Sequence, residues 1–296
     1  MCRVASIFKY GDTNINPEHI VEMLKRMEYA GKDATGLAFI SKKEDTVWYS
    51  KSPGKASDFV SGDFVDRIRK YTELSDIVLL HTRQATHGTF LNNDNNHPIL
   101  GKQYIMIHNG VVNVKEKFTA RGETDTEQLL LAIEKYGLKK GPEMATGSAA
   151  VILANAISKR YVYFYKTSWS PLELYRDKDN KIVYLASTQH IINGAVNKAK
   201  TISLNSDIMY RYDTTTGEIG HHKTLNIVKP MFNTKRIKYD YKTKSYVYTS
   251  SSASNTYLYP NIINTIEDEC DDNVYTASEE LLESSIYDSY NAYEGV

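Results

Sequence analysis

Cysteine is scarce in this chain of 296 residues: there are two, Cys2 and Cys270. They lie near opposite ends without metal-ligand spacing, which argues against a disulfide framework and a zinc site. An excess of either charge is also missing, with 36 basic residues against 36 acidic ones. A balanced chain offers no overall attraction to nucleic acid or to an anionic membrane, so neither is an expected partner. No apolar run approaches the ~18 residues a bilayer span requires. The opening MCRVASIFKYG lacks the charged-then-apolar design of a signal peptide, so a cytoplasmic protein is expected. Neither GxxxxGK[ST] nor GxGxxG occurs, and no cofactor or metal is expected.

What is present divides at about residue 228. Residues 2–228 carry the composition of a mixed α/β domain. Cys2 to Phe8 reads as a strand. Asn16-Pro17 opens a helix, with Asn16 as N-cap and Pro17 at the first helical position. Ile20, Leu24 and Met27 share its inward face, and Gly31 is placed to end it. Strands are expected at 36–41, 46–50, 77–81, 104–108, 149–154, 161–166, 172–176, 182–187 and 209–213. A second helix is expected over 125–136, with Leu129, Leu130 and Ile133 facing the core, and a short one near Thr188. Hairpin-like strands outnumber helices and no βαβ alternation appears. That pattern favours an α+β fold of two mainly antiparallel sheets with helices outside. Residues 229–296 are basic and tyrosine-rich, then serine-rich, then acidic, and poor in aliphatic residues. They read as a disordered tail, with a short helix possible at 278–285.

Cys2 is the residue with the most chemical potential. Trimming of Met1 would place a thiol and a free α-amine on one carbon. The amine titrates near pH ~7.7–8.0, so it can take the thiol proton at cell pH. A thiolate attacks far better than a thiol. One residue would then supply a nucleophile and its base. Four further segments stand behind it: His81-Thr82-Arg83-Gln84-Ala85-Thr86-His87-Gly88 at the end of an apolar strand, Asn96-His97-Pro98-Ile99, His108-Asn109-Gly110 closing another strand, and Glu123-Thr124-Asp125-Thr126-Glu127 at a helix start. Each has a plain reading alone: a surface arginine, an Asn-Gly hairpin turn, a helix cap. Their joint occurrence in this order behind Cys2 is specific.

Together they resemble the glutaminase domain of class II glutamine amidotransferases, and within them that of glutamine–fructose-6-phosphate transaminase. HTRQATHG at 81–88 matches that family's HTRWATHG, 108–110 its HNG, and 124–127 its TDTE. Residues 28–36 look like its EYRGYDSAG. The resemblance implies an N-terminal-nucleophile hydrolase fold, a four-layer αββα sandwich. It implies that Cys2 attacks the side-chain amide of L-glutamine, with Asn109 and Gly110 as oxyanion donors. Arg83 would hold the substrate carboxylate and Asp125 its ammonium, with Thr86 and His87 lining the pocket.

Three departures stand out. Gln84 replaces the family's Trp, and Ala30 replaces an Arg expected near the nucleophile, with Lys32 a candidate substitute. The sugar-isomerase modules of the transaminase are not matched by 229–296. The resemblance therefore implies a stand-alone glutaminase whose ammonia is released or passed to a separate acceptor synthase. Two alternatives remain at this point: a glutamine-binding regulator that acts through its tail, and an N-terminal-cysteine hydrolase of another amide.

Overall fold

The computed structural model describes residues 2–227 and, beyond them, the backbone of 236–240 and 245–249. The chain begins with β1 (Arg3–Lys9), α1 (Pro17–Met27), β2 (Ala34–Ser41) and β3 (Thr46–Pro53). It continues through α2 (Ala56–Phe59), α3 (Phe64–Leu74), β4 (Ile77–Arg83), β5 (Ile99–Leu100), β6 (Tyr104–Val114) and α4 (Asp125–Lys140). Then come β7 (Ala145–Asn155), β8 (Tyr161–Lys166), β9 (Glu173–Asp177), β10 (Ile182–Ala186) and α5 (Gln189–Ile192). The last described elements are β11 (Ile202–Ser203), β12 (Ile208–Asp213), β13 (Ile219–Thr224), β14 (Arg236–Asp240) and β15 (Ser245–Thr249).

Two sheets form, ordered β11-β9-β10-β1-β4-β2-β3 and β13-β12-β8-β7-β6-β5. Every adjacent pair in both is antiparallel. The pleat sorts side chains into three cores, because successive residues point to opposite faces. Ala5 and Ile7 of β1 join Ile20, Met23, Leu24 and Met27 of α1 in an outer core. Val4 and Phe8 of the same strand face the second sheet and meet Ile105, Ile107 and Ile152. On that sheet's far side, Met106, Val151 and Leu153 pack against Leu129, Leu130 and Ile133 of α4. Helices, sheet, sheet, helix is the four-layer αββα sandwich the sequence led us to expect. Burial on both faces also explains why all eight residues of β2, ATGLAFIS, are buried.

Asn16 caps α1, its side chain accepting from the Glu18 N–H at 3.0 Å. Gly31 does not end that helix, which stops at Met27 with Glu28 as C-cap. Glycine is required at 31 for a different reason: a Cβ there would sit 2.7 Å from the Thr82 backbone. Asn109-Gly110 is not a turn and does not close a strand. β6 runs on to Val114, with Asn109 opposite Ala150 and Gly110 opposite Ala149. The short α2, together with α3, β5, β11 and β13, was not expected. In α3 only Ile68 and Thr72 are fully buried, too narrow a stripe to read as an apolar period.

Within 229–296, β14 pairs antiparallel with β15, Arg236 opposite Thr249, in a unit of its own. The acidic end, the possible helix at 278–285 and the trimming of Met1 fall outside the described residues. Among the described residues no helix is long and apolar enough to cross a membrane. No cluster of His, Cys, Asp or Glu among them is arranged to hold a metal ion.

Candidate active site

β1 is the central strand of the seven-stranded sheet, and Cys2 lies one residue ahead of its first rung, Arg3 opposite Thr82. The half-buried thiol reaches across to the end of β4. The Gln84 N–H donates to Sγ at 3.4 Å, and Sγ lies 3.5 Å from the Gln84 carbonyl. Burial pushes the Cys2 thiol pKa up. The Gln84 N–H and the Arg83 charge pull it down, and the Asp125 carboxylate pushes it up again. Cys2, Arg83 and Asp125 are thus close enough for their charges to act on one another. The replacement of Trp by Gln leaves the backbone donor in place, because that contact belongs to the main chain. The Gln84 side chain instead donates to Asp33 Oδ2 at 3.0 Å, an oxygen that also accepts from the Ala85 N–H at 2.7 Å.

Arg83 is almost wholly buried, and its guanidinium is engaged. Nη1 donates to Asn96 Oδ1 at 2.9 Å and to the Thr89 carbonyl at 3.4 Å. Nη2 donates to the carbonyls of His87 and, at 3.1 Å, Gly88. All four Nη hydrogens therefore hold the loop after β4. Thr86 and His87 are exposed on that loop, with His87 Nδ1 3.3 Å from Thr86 Oγ1.

Asp125 is the first residue of α4, where the helix dipole favours a carboxylate. Its Oδ2 accepts from the Val112 N–H at 2.8 Å, tying the helix start to β6 just past Gly110. Gly110 has φ +149°, and a Cβ there would lie 1.9 Å from the Ser148 carbonyl oxygen. Asn109 is buried, and its Oδ1 meets no donor among the described residues.

Three buried histidines lie behind this segment. His81 stacks on His97 with ring centroids 3.9 Å apart. His81 Nε2 donates to the His108 carbonyl at 3.1 Å, bridging the two sheets at the residue before Asn109. Thr126 Oγ1 lies 3.0 Å from both His97 Nε2 and His108 Nδ1, so one hydroxyl serves two rings, donating to one and accepting from the other. Burial pushes all three imidazole pKa values down, that of His81 to about 3, so the stack is neutral.

The sequence profile of the family described as "Glutamine amidotransferases class-II" matches residues 23–156. The chain carries a class II glutamine amidotransferase domain. A relative called glutamine–fructose-6-phosphate aminotransferase (isomerizing) from Buchnera aphidicola is 34% identical over 164 residues, 52% of this chain and 25% of that protein. Its namesake from Campylobacter jejuni is 27% identical over 235 residues, 72% of this chain and 36% of that one. The chain thus spans about a quarter to a third of these relatives' length. A glutamine phosphoribosylpyrophosphate amidotransferase from B. subtilis, in complex with ADP and GMP, has the same fold, with a TM-score of 0.59 at 15% identity. That likeness covers 77% of this chain and 50% of the other.

In this amidotransferase domain the structure gathers Cys2, Arg83 and Asp125, and it ties the Asn109-Gly110 strand to Asp125 and to the histidines. It leaves Thr86 and His87 exposed on the loop that Arg83 holds. Lys32 is exposed, and the cation bonded to Cys2 is Arg3, whose Nη1 donates to the Cys2 carbonyl at 3.0 Å. Sequence reasoning passed over Arg3, Asp33, Lys51 and Thr126 and gave the buried histidines no role. His81, His97 and His108 all stand inside the quoted motifs, which was the available signal. Lys51 had none: its Nζ donates to the Asn96 and Pro98 carbonyls, bracing the backbone on both sides of His97. Burial pushes its pKa down to about 8.

Proposed function

We propose that this protein hydrolyses L-glutamine to glutamate and ammonia through a Cys2 thioester, with the ammonia passed to a separate acceptor enzyme. The observation that carries the reading is the placement of Cys2 Sγ. It lies against a backbone N–H donor, in the field of the Arg83 guanidinium and the Asp125 carboxylate. That charge pair suits a free amino acid, whose carboxylate and ammonium it complements, better than an amide within a peptide.

With Met1 removed, the α-amine takes the thiol proton, through a water if the geometry requires it, and Sγ attacks the amide carbon. The Asn109 side-chain amide and the Gly110 N–H receive the oxyanion. The amine returns the proton to the leaving nitrogen, ammonia departs, and a water attacks the thioester to release glutamate and regenerate the thiol. The cytoplasm suits this chemistry, because a nucleophilic thiol stays reduced there.

The regulatory alternative draws on one observation, the engagement of all four Arg83 Nη hydrogens by the protein's own loop. The deciding measurement is glutamate release from L-glutamine by protein shown by intact mass to begin at Cys2. Turnover that vanishes in folded Cys2→Ala is the expected result. Turnover at the wild-type rate in Cys2→Ala refutes the mechanism, and glutamine binding without turnover in the trimmed wild type supports the regulator.

A further inference from the structure

The Cys2 main chain is held by the side chain of the next residue. From Arg3 onward the sheet sets the backbone, Arg3 pairing with Thr82, and Ser187 holds Val4: the Val4 N–H donates to Ser187 Oγ at 3.0 Å, and the Ser187 N–H to the Val4 carbonyl at 2.9 Å. Cys2 lies outside the ladder, and its carbonyl accepts from Arg3 Nη1 at 3.0 Å. The same guanidinium is clamped on Tyr29. Nε and Nη2 donate to the Tyr29 hydroxyl at 3.1 and 2.9 Å, and the guanidinium carbon lies 5.0 Å from the ring centroid. Tyr29 is braced in turn, its ring edge-on to His190 at 6.0 Å. The His190 carbonyl accepts from Arg26 Nη1 at 3.1 Å. The front of β1, the turn after α1 and the start of α5 thus converge on one arginine.

The Cys2–Arg3 peptide plane is tied to one torsion, ψ of Cys2. When nucleophile and base share a Cα, that torsion orients the α-amine and the Cα–Cβ bond together relative to the plane, and χ1 then places Sγ. A group that grips the Cys2 carbonyl therefore sets the amine and the root of the thiol side chain at once, and the Gln84 N–H holds Sγ itself. A planar fork suits the task, since it can hold two acceptors in fixed relation where an ammonium would act as a point charge.

We propose that Arg3 is a positioning residue for Cys2. Braced on Tyr29, its guanidinium fixes the peptide plane of the nucleophile and keeps a positive charge beside it. Ala30, next to Tyr29, offers no such charge. The inference rests on the glutaminase reading, so its test carries one readout that does not need glutamine.

Full-length protein, trimmed to Cys2, is compared with Arg3→Met, Arg3→Lys and Tyr29→Phe. The alkylation rate of Cys2 by iodoacetamide is followed against pH, with peptide mapping to separate it from Cys270, alongside kcat and KM for glutamine. In Arg3→Met the alkylation midpoint moves to higher pH. Its kcat falls about tenfold while KM stays within about twofold, as for a misaligned nucleophile with an intact pocket. Arg3→Lys recovers the midpoint, through charge, but not kcat. Tyr29→Phe keeps the ring and gives an intermediate loss of kcat. An unmoved alkylation profile in Arg3→Met overturns the proposal whatever turnover does. Should that variant fail to fold, an unchanged profile and kcat in Tyr29→Phe overturn it. If the wild type does not turn over glutamine, the glutaminase reading fails, and the alkylation profile alone judges Arg3.

Discussion

Gly110 tolerates no side chain. A Cβ would lie 1.9 Å from the Ser148 oxygen, and the backbone sits at φ +149°, which L residues rarely adopt. The steric and torsional costs add, so Gly110→Ala should lose at least about 3 kcal/mol in urea denaturation, along with activity. A loss below 1 kcal/mol would mean the strand relaxes around the methyl. The contrast with Gly31, needed for close approach rather than for its torsion, shows that two glycines in family motifs can be required on different grounds. At this scale the sequence pointed to Cys2, Arg83, Asp125, Asn109 and Gly110 through the company they keep. It could not show Arg3 gripping the residue before it, because a side chain that turns back on its own neighbour leaves no periodic or motif signal.

Among the elements, α4 and β6 depend on each other. Asp125 and Thr126, adjacent at the helix start, bond Val112 on one side of Gly110 and His108 on the other. Thr126→Val keeps the shape but removes the hydroxyl shared by His97 and His108. Two buried ring nitrogens lose their partner, at a cost of about 2–4 kcal/mol in chemical denaturation. An unchanged midpoint would show the rings re-pairing with each other or with water. The long strands and both long amphipathic helices of the core were legible from apolar runs and from the Asn16-Pro17 and Thr124-Asp125 starts. α3 was not, since its buried stripe is two residues wide. β6 was cut short for a better reason: Asn-Gly is a strong turn signal, and only its position opposite Ala150 and Ala149 in a paired neighbour overrides it.

For the whole molecule, the neutral histidine stack sets an acid limit. Folding holds the His81 pKa near 3 and that of His97 well below its ordinary 6.5, whereas the unfolded chain takes up these protons as pH falls through 6.5. The unfolded state then binds more protons, so stability falls as pH falls. Between pH 7.5 and 5.5 each of these two residues costs about 1.4 kcal/mol, roughly 3 together, and His108 acts in the same direction. Urea midpoints across that range check this, and a flat profile would mean the rings protonate in place. The central position of β1 has a consequence for how the chain is made. β1 is paired by β4 and β10, which are synthesised about 75 and 180 residues after it. At ~5–20 residues per second, roughly ten to forty seconds pass before both its edges are covered. Over that interval β1 keeps at least one row of backbone N–H and C=O groups unpaired, so the order of the sheet rests on its waiting without taking a wrong partner.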